Sequence, residues 1–177
     1  MIVRVAGNEL IDSCRMRFDP SAARGMPAHV TVVYPFASVE EMSEEVLGTL
    51  GEICASTEPF DFDLVALGSF PGVVYLVPEP KESFVDLVRE LSFRLPAWPP
   101  YSGAYADVVP HLTIAQRRRV PRRLRGQLSA ALPVRCRASV LELLVEEDGG
   151  WRTLRRFAMG AGPTEQGRDG AGRGSMR

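Results

Sequence analysis

Two of the 177 residues are histidines, and each is followed two positions later by threonine: Ala28-His29-Val30-Thr31-Val32 and Pro110-His111-Leu112-Thr113-Ile114. Threonine fills six positions in the chain, so its recurrence at that spacing after both histidines has chance odds of about one in a thousand. Residues i and i+2 of a β-strand project to the same face, roughly 6.6 Å apart along the backbone. Each segment, read as a strand, therefore presents an imidazole and a hydroxyl together, while Val30, Val32, Leu112 and Ile114 turn to a core. An imidazole with an unperturbed pKa of about 6.5 is a base when neutral and an acid when protonated. Two such strands side by side near a pseudo-twofold axis would surround one small ligand with two acid-base groups and two hydroxyls, and a phosphate diester fits that geometry. A lone histidine on an apolar strand reads as a hydrogen-bonded core residue; the matched pair reads as chemistry. Two histidines without an acidic or cysteine neighbour at ligand spacing are too few for a metal site.

The elements that must position these residues follow from the hydrophobic pattern. Residues 2–5 read as a short strand and 8–17 as a helix, followed by an irregular stretch over 18–28. Residues 29–34 are β-branched and aromatic and read as a strand stopped by Pro35. Ser38 and Glu41 form a capping box, which predicts a helix from there to about Ser56 with Val39, Met42, Val46, Leu50, Ile53 and Cys54 on its core face. Phe60 to Phe70 and Val73 to Val77 flank Pro71-Gly72 as an antiparallel hairpin, and 80–95 is a second amphipathic helix with Phe84, Leu87, Val88 and Leu91 inward. The segment 96–110 is too rich in proline and small residues for regular structure, and a loop of that length is usually functional. Residues 111–116 form the second motif strand, 121–132 a short helix, and 134–146 with 151–158 a long hairpin around Asp148-Gly149-Gly150. From Gly160 onward the chain is glycine-rich and nearly devoid of apolar residues, which reads as a flexible tail over 161–177.

The order strand-helix-strand-helix-hairpin, then helix-strand-helix-hairpin, hints at two similar halves, each carrying one motif. The chain here resembles the two-histidine (2H) phosphoesterases, the superfamily of 2′-5′ RNA ligase-like proteins and RNA 2′,3′-cyclic phosphodiesterases. Its hallmark is two histidine-x-threonine-x motifs about half a domain apart; here they are 82 residues apart. The segments PAHVTVVYPF, PFDFDLVALGSFPGVVYLVP and VVPHLTIAQ carry the likeness, over about residues 1–160. The resemblance implies an α+β fold, bilobal and pseudo-twofold, in which antiparallel sheets form a central groove with helices outside, the whole of 1–160 being one domain. It implies His29 and His111 as the catalytic pair, Thr31 and Thr113 as phosphate-contacting hydroxyls, and neither a metal nor an organic cofactor. Many relatives have arginine after the second motif, where this chain has Gln116 followed by Arg117; Arg117 would point to the other face of a regular strand.

The reaction expected is hydrolysis of a 2′,3′-cyclic phosphate, on an RNA end or a nucleotide, with one histidine as base and the other as acid. The alternatives are 2′-5′ RNA ligation in the same groove, and an RNA-end or nucleotide-binding module without turnover. Substrate contacts are expected from Gln116 and Arg117, from Tyr34 if its strand extends toward the groove, and from Tyr101 and Tyr105, which could stack on a base from the long loop. A monomer suffices, since the groove is built within one chain.

Composition adds limits. No apolar run approaches the roughly 20 residues of a membrane span, and the first residues lack the long apolar stretch of a signal peptide; a cytoplasmic protein is the expectation. Cys14, Cys54 and Cys136 are far apart and read as small core residues. Lys81 is the single lysine against 20 arginines, with no glycine-rich loop before it. The net charge of −1 hides a division, −9 over residues 1–110 and +8 over 111–177. Arg117, Arg118, Arg119, Arg122, Arg123 and Arg125 place six arginines in nine positions just past the second motif, either as a solvated face or as an attractor of an RNA backbone.

Overall fold

The structure, a computed structural model, describes residues 1–104, 108–160 and 162. In chain order the elements are β1 (Ile2–Arg4), α1 (Glu9–Phe18), β2 (His29–Thr31), α2 (Glu44–Ser56), β3 (Phe60–Phe70), β4 (Val73–Glu79), α3 (Glu82–Arg94), β5 (Leu112–Gln116), α4 (Arg122–Ala130), β6 (Val134–Ala138), β7 (Val140–Glu147) and β8 (Gly150–Ala158). The strands form two four-stranded sheets, β2-β1-β7-β8 and β5-β4-β3-β6, with antiparallel pairing throughout. Each sheet ends on a histidine-motif strand, and these two edge strands, β2 and β5, lie against each other. The resulting α+β architecture of two antiparallel sheets with helices is the one the family resemblance implied.

Alternation drives this arrangement. Val30, Val32, Leu112 and Ile114 are all at most 1% exposed, whereas His29, Thr31, His111 and Thr113 are half-buried on the opposite face. The main apolar core draws on both sheets and on α1, α2 and α3, with Val3, Val30, Leu141, Leu64, Leu76, Leu112, Leu50, Ile53 and Phe84 among its members. Helix α1 crosses to pack on β5 of the other sheet, and α2 packs on β8. Cys14 and Cys54 are buried and Cys136 is half-buried, all three as free thiols.

Several boundaries differ from the sequence expectation, each for a local reason. The first motif strand ends at Thr31, not Tyr34, because β1 has only three residues to offer; past it, the N–H groups of Val32 and Val33 both donate to the Met1 carbonyl, at 3.0 and 3.3 Å. The Ser38/Glu41 box does form, with the Ser38 N–H donating to Glu41 Oε2 at 2.8 Å, but it closes an isolated turn. Helix α2 starts later, capped by Ser43 Oγ, which accepts from the Val46 N–H at 3.3 Å. Val39, outside that helix, is 51% exposed. The expected strand 134–146 is two strands: β6 pairs with β3 in one sheet and β7 with β1 and β8 in the other, so the chain changes sheet at Ser139. The β7–β8 hairpin turns on Asp148 and Gly149, both at positive φ, as a two-residue turn of this kind requires. The long loop contains a short 3-10 turn at Pro100–Gly103, and the tail expected over 161–177 lies, apart from Gly162, outside the described residues.

The irregular stretch before β2 is held by a buried ion pair. Arg15 and Asp19, 2% and 3% exposed, lie one turn apart on α1 and just past its end. Arg15 Nη2 and Nε donate to Asp19 Oδ2 at 2.7 and 3.2 Å, and Asp19 Oδ1 accepts from the Ser21 N–H and Oγ at 3.0 and 2.8 Å. Arg15 Nη1 donates in turn to the Pro27 carbonyl, two residues before His29. Removing one partner of such a pair strands a buried charge, whereas removing both does not. Arg15→Met should therefore lower the unfolding free energy in urea by about 3–5 kcal/mol, and adding Asp19→Leu should recover part of that loss.

Candidate active site

Both motif histidines are anchored in the same way. His29 Nδ1 lies 2.7 Å from the Pro27 carbonyl oxygen, and His111 Nδ1 lies 2.7 Å from the Val109 carbonyl oxygen. A carbonyl only accepts, so each Nδ1 carries the hydrogen, and in each neutral ring Nε2 keeps its lone pair for chemistry. The acceptor is in both cases the residue two positions upstream, so the sequence repeat is also a hydrogen-bond repeat. The hydroxyls of Thr31 and Thr113 make no hydrogen bond to another described residue, which leaves them available as donors.

The environments of the two rings differ. Burial lowers the His29 pKa to about 4, opposed by the Pro27 bond and reinforced by the positive charge of Arg15. Burial also lowers that of His111, opposed by the Val109 bond. The His111 ring meets Phe70 and Tyr75 edge-on, with centroids 5.3 Å away in each case, and Phe70 stacks on Tyr75 at 4.4 Å. Gly68 makes this possible: a Cβ there would stand 2.4 Å from the Tyr75 ring. Arg4, register partner of His29, is committed elsewhere, its Nη2 and Nε donating to Glu142 at 2.8 and 3.0 Å.

A cavity of about 390 Å³ opens beside His29 and Thr31 and is lined further by Tyr34, Met42, Gln116 and Trp151. The described structure also holds a larger hollow, about 550 Å³, between Asp61, Glu79 and Arg137, but it contains neither motif, so volume alone does not mark the site. Tyr34 reaches the cavity although its strand stops short; it is 52% exposed and meets Trp151 edge-on at 6.4 Å. Gln116 arrives through a β-bulge. Thr113 pairs with Tyr75 and Ala115 with the adjacent Val74, so Ile114 and Ala115 are both fully buried and Gln116 emerges on the cavity side. His111 and Thr113 stand on the neighbouring strand rather than in the cavity wall.

The other expected contacts fall differently. Arg117 does not continue the strand: at φ +55 its N–H donates to the Gly72 carbonyl at 2.7 Å, and the chain turns outward. Tyr101 is held beside Tyr34, its N–H donating to the Tyr34 carbonyl at 2.7 Å, but it does not line the cavity. Tyr105 lies outside the described residues. Sequence reasoning missed Trp151, whose indole N–H is buried without a partner among the described residues, and Arg15. Arg15 had a signal: it interrupts the buried stripe Ile11, Cys14, Phe18 of α1 with an acid four residues on. Among the described residues no three His, Cys, Asp or Glu side chains come together, and no helix is long and apolar enough to cross a membrane.

Two antiparallel sheets thus meet at two edge strands that each carry a histidine-threonine motif. The sequence matches the model of the 2′-5′ RNA ligase superfamily over residues 3–150, and the chain belongs to that family of 2H phosphoesterases. A Bacillus pumilus protein named "Putative phosphoesterase" is 31% identical over 112 residues, covering 62% of this chain and 63% of that protein; the chain thus matches less than two thirds of that relative's length. Among solved structures, TT0787 of Thermus thermophilus superposes with a TM-score of 0.59 at 17% identity, over 92% of this chain and all of that one. Escherichia coli LigT complexed with NADP+ gives 0.52 at 18%, over 88% and 94%, and LigT complexed with 3′-AMP gives 0.51 at 18%, over 90% and 99%.

Because there are only two histidines, their titration is open to direct observation. Nitrogen NMR at neutral pH should show both rings as the Nδ1–H tautomer, with His29 protonating near 4. The folded-state pKa lies below the unfolded one, so the unfolded chain binds the proton first. The contribution of His29 to stability should accordingly be constant above about 6.5 and fall as the pH drops from there toward 4, while the buried Met1 amine, lowered to about 5 from its ordinary 8.0, makes stability decline already from about 8 downward. A His29 midpoint at or above 6.5 would contradict the geometry.

Proposed function

We propose that the chain is a phosphodiesterase that opens 2′,3′-cyclic phosphates, on RNA ends or nucleotides, by paired histidine catalysis. The observation that carries this reading is the mirrored Nδ1-to-carbonyl anchoring, which frees one Nε2 on each of two adjoining strands. His29, buried near Arg15, disfavours the imidazolium and serves as base: its Nε2 takes a proton from water as the oxygen attacks phosphorus. His111, whose imidazolium is disfavoured by burial but not, as that of His29 is, by an arginine charge, serves as acid: its Nε2–H passes to the ribose oxygen as the P–O bond breaks. The product is a ribose phosphomonoester beside a free hydroxyl. Thr31 and Thr113 donate to the non-bridging oxygens, where charge accumulates.

The cavity beside His29 has room for one nucleoside, with Tyr34 and Trp151 against the base and Gln116 at its edge. The nucleotides bound in the LigT structures, 3′-AMP and NADP+, support a ligand of this class. The family's description favours one further reaction in the same place, in which the 5′-hydroxyl of a second RNA takes the part of water and a 2′-5′ linkage forms.

Alanine at either histidine should reduce hydrolysis of a 2′,3′-cyclic nucleotide at least about a hundredfold, and EDTA should leave the wild-type rate unchanged. A 4-nitrophenyl phosphodiester, whose leaving group needs no proton, separates the roles. It should restore most of the rate to His111→Ala and little to His29→Ala. The kcat/KM profile of the wild type should be a bell on the acid side, rising near 4 as His29 loses its proton and falling below 6.5 as His111 loses its own.

A further inference from the structure

We infer that the arginines following β5 form a second recognition surface, which grips the RNA backbone 5′ of the cyclic end and makes oligonucleotide ends better substrates than free cyclic mononucleotides. This rests on the proposed reaction for its substrate class, and on separate observations for its location.

The first observation is a contrast in pairing. Arg117, Arg118, Arg119, Arg122, Arg123 and Arg125 are all exposed, and within the described residues none has a carboxylate within 4 Å. Of the eleven other arginines in the described residues, eight do: Arg4, Arg15, Arg24, Arg89, Arg94, Arg137, Arg152 and Arg156. An arginine-rich composition alone would scatter unpaired guanidinium groups over the surface instead of collecting them in one run. Nor do these arginines serve the helix they begin. Arg122, Arg123 and Arg125 occupy the opening of α4, which has no acidic residue in its first turn, and cations at that end oppose the helix dipole.

The second observation is placement. Gln116 lines the cavity beside His29, and the arginine run begins with the next residue. Val120, 3% exposed and packed with Phe18, Val74 and Ala115, pins the segment at its middle, so the arginines flank a fixed point. Between them and His111 stands an aromatic step. Phe70, 36% exposed, stacks on Tyr75 beside His111, and the hairpin turn that follows it accepts the Arg117 N–H at Gly72. An aromatic face next to a line of guanidinium groups without carboxylate partners among the described residues, of which Arg118 donates to the Arg17 carbonyl at 3.4 Å, matches the way single strands are held, by stacking and by phosphate contact, without reading sequence.

The test compares a cyclic mononucleotide with a ten-nucleotide RNA ending in 2′,3′-cyclic phosphate, using wild type and Arg122→Gln/Arg123→Gln/Arg125→Gln. The wild type should prefer the RNA, with a kcat/KM that falls as salt rises. The triple variant should lose about tenfold on the RNA and nothing on the mononucleotide, and its log-log salt slope should flatten by about 2, three contacts at roughly 0.7 each for a single strand. Equal kcat/KM on the two substrates without salt dependence, or a triple variant that handles RNA like wild type, would overturn the inference and leave the reaction standing. Fluorescence anisotropy with an RNA ending in a 3′-phosphate gives the reverse separation. Salt-dependent binding lost in the triple variant, with turnover of neither substrate, would keep the surface and remove the reaction. RNA binding unchanged in the triple variant, with affinity for anionic vesicles or an acidic peptide lost, would assign the arginines to another partner and overturn the inference.

Discussion

The carbonyl of Pro27 accepts from two donors, the Nδ1–H of His29 and a guanidinium nitrogen of Arg15. On this junction depends everything that makes His29 more than a core residue. Its ring is held with Nε2 free, and the loop bearing the carbonyl is held by Arg15 and Asp19. Histidine at the foot of a short strand would otherwise sample several rotamers, and a catalytic base displaced by an ångström loses most of its advantage. The buried ion pair contributes little net stability, because desolvating two charges offsets their attraction. Its effect is positional: Asp19 holds Ser21 and Arg15 holds the Pro27 carbonyl, tying both ends of the stretch before β2 to α1.

The second half reaches the same result by different means. The Val109 carbonyl fixes His111 as Pro27 fixes His29, but the ring is steadied by Phe70 and Tyr75 instead of an ion pair. That asymmetry within a symmetric repeat gives the two histidines different electrostatic surroundings, the condition for one to act as base and the other as acid. Edge strands usually carry a hazard of pairing with other chains. Here one edge of each sheet, β2 and β5, faces the other, and the candidate site residues project from those two strands.

The motif pair, its strand alternation and its inward residues were legible because each rests on periodicity within a few positions, and burial of Val30, Leu112 and Ile114 follows it closely. The Pro71-Gly72 and Asp148-Gly149 hairpins were legible for the same reason. What escaped depends on partners distant in sequence. The length of β2 is set by β1, and Gln116 faces the cavity through a register slip against β4. The crossing at Ser139 left a trace that passes for one continuous alternation: the inward positions run Val134, Cys136, Ala138 and then Leu141, Leu143, a change of phase by one residue. Trp151 carried no signal of function, since a tryptophan after a glycine turn reads as packing, and the cavity it lines exists only once β8 is placed beside β7.

The central claim is that two carbonyl-anchored imidazoles converge on one phosphorus. The most direct measurement is a crystal structure with a nucleoside 2′- or 3′-monophosphate bound. The account predicts one phosphate group with oxygens within about 2.6–3.2 Å of both Nε2 atoms and of the Thr31 and Thr113 hydroxyls, with each Nδ1 still on its carbonyl. A phosphate held by one histidine alone, or bound through Nδ1, would contradict it.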